Sequence, residues 1–118
     1  MDKFIIDFYT KENGEQPAKD FILGLEPKMQ AKIIKVLDLL EHNGPLTGLP
    51  YSEHLENGIF EIRAKQSTNI TRILYFFAVG RKIILTNGFV KKTQKTPRRE
   101  IDLARKYRSD YERGFQNE

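Results

Sequence analysis

Cysteine is absent from this chain of 118 residues, and histidine is nearly so, with only His42 and His54. Without cysteine there are no disulfides, thiolate zinc sites, iron–sulfur clusters or cysteine nucleophiles. Two isolated histidines exclude a histidine-rich metal site, and no Asp/Glu/His cluster stands at ligand spacing, so neither a metal nor a cofactor is expected. Long apolar runs are missing as well: the longest, Ile73 to Val79, is far below the roughly 20 residues of a bilayer span. No basic, apolar and small-residue leader opens the chain, so a cytoplasmic protein beginning at Met1, without membrane contact, is expected. GxxxxGK loops and GxSxG elbows are also absent, which excludes the P-loop and serine-hydrolase classes.

The composition, 39% hydrophobic and 31% charged, is enough to bury one core, and residues 1–118 read as a single domain of two packed layers. Charge is distributed unevenly. Residues 1–58 hold 6 Lys+Arg against 10 Asp+Glu, a net −4, whereas residues 59–118 hold 14 against 6, a net +8. A basic half on a small protein suits a polyanion, whose phosphates supply affinity and on-rate. Charge alone leaves open a second reading, a solvated surface with no partner.

Periodicity divides the chain. Phe4 to Tyr9 alternates as a buried strand. Pro17 opens a short helix whose Ala18, Phe21, Ile22 and Leu25 share a face, and Pro27 opens a second that runs to Asn43-Gly44-Pro45. Residues 43–58, with three glycines and two prolines, read as a long connection. From Ile59 the period becomes two, predicting strands at Ile59 to Ala64, Ile70 to Val79 and Lys82 to Val90, an antiparallel meander with a tight turn at Gly80-Arg81. Thr96-Pro97 predicts an N-cap and first turn for a last helix, with Asp102–Lys106 and Arg108–Glu112 paired on its solvent face. The expected fold is α+β, in the order β-α-α-β-β-β-α, with an antiparallel sheet carrying its helices on one face and the other face partly open.

Charged residues inside the strands mark where chemistry could lie. Glu61 and Arg63 leave the same face of one strand, and Arg72 sits among apolar neighbours in the next. A guanidinium there needs either a ligand phosphate or an internal partner such as Glu61. After the last strand, seven of the ten residues from Lys91 are basic or hydroxyl-bearing, and they lead into a helix N-terminus that favours anions. Lys65, Lys95, Arg98 and Arg99 are candidates for phosphate neutralisation, and Phe89 or Tyr51 for stacking on an unpaired base. His54 is a candidate proton carrier in the loop. Metal-free cleavage of RNA is the chemistry open to such a set. The 2′-hydroxyl attacks the adjacent phosphate, with a base, an acid and cations around the developing charge.

Glu61-Ile62-Arg63, Arg72-Ile73-Leu74-Tyr75-Phe76 and the segment from Gly88 to Ile101, with its F-x-K-K-x-x-K-T-P-x-x-E-I pattern, resemble the phage-derived HigB-like branch of the RelE/ParE toxin superfamily, over nearly the whole chain. The resemblance implies a RelE-like fold and a type II toxin that cleaves messenger RNA on the ribosome. It also implies neutralisation by a HigA-like helix-turn-helix antitoxin, in a complex that binds operator DNA. Arg63 and Arg72 would correspond to the family's sheet-face arginines, and Lys91 and Lys92 to its basic residues after the last strand. Glu61 is then the first candidate for the base and His54 the second. The ParE side of the superfamily, which inhibits DNA gyrase by binding alone, is the alternative.

Overall fold

The computed structural model describes residues 3–91 and 95–116. Its elements are β1 (Ile5–Phe8), α1 (Pro17–Leu23), α2 (Pro27–Asn43), a 3-10 turn (Gly44–Leu46), β2 (Ser52–Glu56), β3 (Ile59–Gln66), β4 (Asn69–Ala78), β5 (Lys82–Val90) and α3 (Arg98–Gln116). The strands form one sheet in the order β1-β5-β4-β3-β2. The α+β class and the expected order of elements hold, with three differences that bear on the site.

The first is β2, which lies inside the stretch expected to be a connection. Asn57 and Gly58 both take positive φ, 46° and 80°, the backbone of a two-residue hairpin turn, and they fold Ser52–Glu56 back along β3. Secondly, the sheet is mixed. β1 lies parallel to β5, with Ile5 opposite Lys82 and Phe8 opposite Leu85, because α1 and α2 cross the sheet from the β1 edge to the β2 edge before the meander begins.

The third difference is that helices cover both faces. Ala18 of α1 and Met29, Ile33, Val36 and Leu40 of α2 pack against Ile62, Ile73, Tyr75, Ile83 and Leu85. Ile101 and Ala104 of α3 pack on the opposite face with Tyr9, Ile59, Leu74, Phe76 and Ile84. The reason lies in β4, where Ile73, Leu74, Tyr75 and Phe76 are all buried. A strand apolar on both sides leaves neither face to water. Gly88 serves the α1 side, since a Cβ there would come within 2.5 Å of the Phe21 ring.

α3 begins beside Asn87, whose Nδ2 donates to the Glu100 carbonyl (3.2 Å) and carboxylate (3.1 Å). It then runs back along the face until Tyr107 stacks on Tyr9 and Tyr111 meets Phe76. The end of that face carrying Arg63 and Arg72 therefore lies beyond its first turn.

Candidate functional site

Strand alternation and register assemble the site. On β3, Glu61 and Arg63 point to the α3 face; Arg72 of β4 lies opposite Arg63, and Glu53 of β2 lies opposite Glu61. Glu61 is completely buried, and its Oε2 accepts hydrogen bonds from Arg72 Nη1 and from Arg63 Nε, the latter at 3.1 Å. Its Oε1 accepts from the Thr96 hydroxyl at 2.5 Å. Arg63 Nη2 also donates to Glu53. The internal pairing that the sequence left open is thus present: one buried carboxylate holds two guanidinia in charge-assisted bonds. Thr96, expected as an N-cap, instead fastens the loop before α3 to the cluster.

The pairing does not exhaust the cations. Arg72 is 5% exposed, and among the described residues its Nε is buried without an acceptor, so this guanidinium offers more donors than Glu61 accepts. Lys91, held at the end of β5 by its N–H to the Ile70 carbonyl (2.7 Å), lies within the field of both arginines. Its pKa is lowered by desolvation and by the repulsion of Arg72 and Arg63, with Glu53 opposing. Arg63, Arg72 and Lys91 face two carboxylates, Glu53 and Glu61, leaving one positive charge in excess.

Other expected residues are placed differently. Lys65 continues the Arg63 row and is exposed, as are Lys95 and Arg99 before and within the first turn of α3. Arg98 is taken up by Glu56, at 2.5 and 2.8 Å, and by Asp102. These bonds raise its pKa and pin α3 to the β2–β3 hairpin. Arg108 donates to the Asn57 carbonyl, not to Glu112 as its spacing suggests, and Asp102 pairs with Arg98 rather than Lys106. Phe89, opposite Arg72 in the register, is partly buried against the α3-side core. His54 lies opposite Phe60, edge to ring, on the face away from Arg63, with its Nε2 accepting from the Gly58 N–H. Glu61 has no surface through which to reach a substrate. His54 and Glu61 are therefore out of place as bases. Lys92 lies outside the described residues.

Glu53 is the site carboxylate that sequence reasoning missed, because β2 was hidden in a glycine- and proline-rich stretch. Its side chain is 42% exposed beside Arg63. Next to it, where β3 runs past the end of β2, a cleft of about 450 Å³ is lined by Lys32 and Lys35 of α2 together with Tyr51, Arg63, Lys65 and Arg72. Contrary to the expectation of no Asp/Glu/His cluster at ligand spacing, Asp38, Glu41 and His42 bring their ligand atoms within 4.8 Å of one another near the end of α2, because i, i+3 and i+4 share a helix face, on the opposite side of the sheet from the arginine cluster. Among the described residues no helix is long and apolar enough to cross a membrane.

A protein-family profile described as "Phage derived protein Gp49-like (DUF891)" matches residues 20–109 of the chain. That span runs from α1 through β5 into α3 and contains every residue of the cluster. No curated protein matches the chain.

Proposed function

The chain belongs to the phage-derived Gp49-like family, a toxin-type family related to RelE/HigB-like toxins, and from that premise we propose that it is a toxin of the HigB-like branch that cleaves messenger RNA on the ribosome without a metal ion. The observation that carries the reading is the surplus of cations at one end of a sheet face, where Arg63 and Arg72 converge on a single buried carboxylate and Lys91 lies in the field of both. An RNA phosphate arriving there meets preorganised donors, already fixed by Glu61 and needing little rearrangement.

In the reaction, the 2′-hydroxyl attacks the neighbouring phosphorus, forming the P–O2′ bond and breaking the P–O5′ bond. The products are a 2′,3′-cyclic phosphate and a 5′-hydroxyl. Arg63 and Arg72 hold the non-bridging oxygens as negative charge grows. Glu53, partly exposed and tied to Arg63, takes the 2′ proton. Lys91, its pKa lowered by desolvation and by the two arginines, gives a proton to O5′. Glu61 is a positioning residue that orients both guanidinia. A HigA-like helix-turn-helix antitoxin would neutralise the toxin through acidic or apolar surface facing the basic half, and their complex would bind operator DNA. The protein would act in the cytoplasm.

Primer extension on transcripts after induction tests the reading. New 5′ ends inside translated frames are expected. Growth arrest with supercoiling defects and no new ends would instead favour a gyrase inhibitor of the ParE type.

A further inference from the structure

We propose that the cleft at the open edge of β3 is a second contact site for single-stranded RNA, holding the nucleotides next to the cleaved phosphate; this rests on the ribonuclease reading above. The fold creates the cleft by ending β2 early. Ser52–Glu56 pairs only with Ile59–Ile62, and the last contact on that side is the Arg63 N–H to the Tyr51 carbonyl, at 2.8 Å. From Ala64 to Gln66, β3 has β4 on one side and no strand on the other.

Five cationic side chains line it, over an apolar floor that includes Val36, Ala64 and Ile70. Lys32 and Lys35 stand three residues apart on α2, hence on neighbouring positions of one helix face, and join Arg63, Lys65 and Arg72 around about 450 Å³. No carboxylate lines the cleft, and neither Lys32, Lys35 nor Lys65 forms an ion pair among the described residues. Arg63 and Arg72 have Glu61 and Glu53, but the three lysines have no such acid beside them among the described residues, and the repulsion among these cations is relieved by a polyanion. Arg63 and Arg72 belong to both the cluster and the cleft, so a strand whose phosphate rests on them continues directly into it. Tyr51 distinguishes the occupant. Its ring is 42% exposed beside these cations, and a basic groove with an open aromatic face is the combination that holds unpaired bases. Nothing in the sequence singled out Lys32 or Lys35, which lie in the acidic half of the chain.

The test is fluorescence anisotropy of the full-length protein with a single-stranded RNA of about ten nucleotides, 2′-O-methylated throughout so that it cannot be cleaved. Lys32→Ala/Lys35→Ala is expected to weaken binding about tenfold at 0.1 M salt, and to make the log–log salt slope shallower by about 1.4, two phosphates' worth for a single strand. Tyr51→Ala is expected to weaken binding by about tenfold too, whereas Tyr51→Phe, which keeps the ring, is not. Both lysines are exposed on a helix and alanine is a good helix former, so the melting temperature should stay near that of the parent. Trimming the RNA from one end should weaken binding to the parent but not to the double lysine variant. If Arg63→Ala weakens binding while the lysine and Tyr51→Ala variants match the parent in affinity and slope, the cleft is not an RNA site and the ribonuclease reading stands. If the parent binds with a slope near zero and Arg63→Ala changes nothing, the ribonuclease reading itself fails and takes the cleft with it. Binding of an acidic peptide, with no lysine-dependent binding of RNA, would also overturn the proposal.

Discussion

Two groups of arginines share one face of the sheet, and they are satisfied in opposite ways. Arg98, Arg105 and Arg108 lie along α3. Glu56 accepts from the first two, Asp102 from Arg98 again, and the Asn57 carbonyl from Arg108. Arg63 and Arg72 instead converge on one oxygen of Glu61, with Lys91 added to the same field. The first group is balanced by acceptors and fastens a helix to a hairpin. Each group holds one more cation than it has carboxylates, but the second also leaves a buried donor, Arg72 Nε, without an acceptor among the described residues. The basic excess of the second half of the chain therefore divides into a structural part, used up within the fold, and a part that is still available to an anion.

The change expected to act most strongly is Glu61→Leu. Removing the shared acceptor strands buried guanidinium charge, and denaturant unfolding should show a loss of about 3 to 5 kcal/mol. Glu61→Leu/Arg72→Leu should regain part of it, because a well-packed apolar pair can replace a buried ion pair. A single variant as stable as the parent would show that these arginines depend on their carboxylate no more than Arg98 does.

The next effect is read in the pH dependence of cleavage. Lys91→Ala should slow the reaction by about 10²-fold or more, as loss of a general acid does. In the parent, the alkaline limb of the rate profile should fall below the ordinary lysine value of 10.5, since burial and the two arginines disfavour the protonated amine. Arg63→Gln removes one of those positive charges, so the limb should move to higher pH. A limb that stays in place would separate Lys91 from proton transfer.

Arg98→Ala should have the smallest effect. Its hydrogen bonds hold the Glu56 carboxyl below the usual range. A depressed carboxyl contributes stability that is present above its unfolded pKa and is lost as pH falls through the folded one. The parent should therefore lose more melting temperature on going from pH 7 to pH 3 than the variant does, by a small margin because the pair is exposed. The salt slope for RNA should not change. A slope change as large as that of Arg63→Ala would erase the distinction between the two groups.

The sequence made the helices and the meander legible through their periods, and it made Arg63 and Arg72 legible because charge inside an apolar strand needs an explanation. Other features depended on pairing that no period reports. β1 could have added to the sheet in either direction, and the buried run Ile73 to Phe76 was the available sign that α3 must cover the second face. Asn57-Gly58 was the available sign of β2, masked by the glycines and prolines around it, and with β2 went Glu53 and the correct face for His54. Phe89 and Arg98 have side chains that suit RNA binding, but packing and Glu56 engage them within the fold. Whether a cation is satisfied internally depends on three-dimensional neighbours, here up to 51 residues away in the case of Asn57 and Arg108.

Arg72 cannot separate chemistry from folding, because its side chain is nearly as buried as Glu61. Arg63 can, because 27% of its side chain is exposed and Glu61 keeps Arg72 and Thr96 without it. The most direct measurement is therefore mass spectrometry of the ends produced when purified protein acts on ribosome-bound message, comparing the parent with Arg63→Ala. The parent should generate 2′,3′-cyclic phosphate and 5′-hydroxyl ends. Arg63→Ala should generate them about 10² to 10³ times more slowly while melting near the parent temperature. Equal rates of cleavage in the two proteins, or no cleaved ends from the parent, would contradict the assignment of this cluster as the site of RNA cleavage.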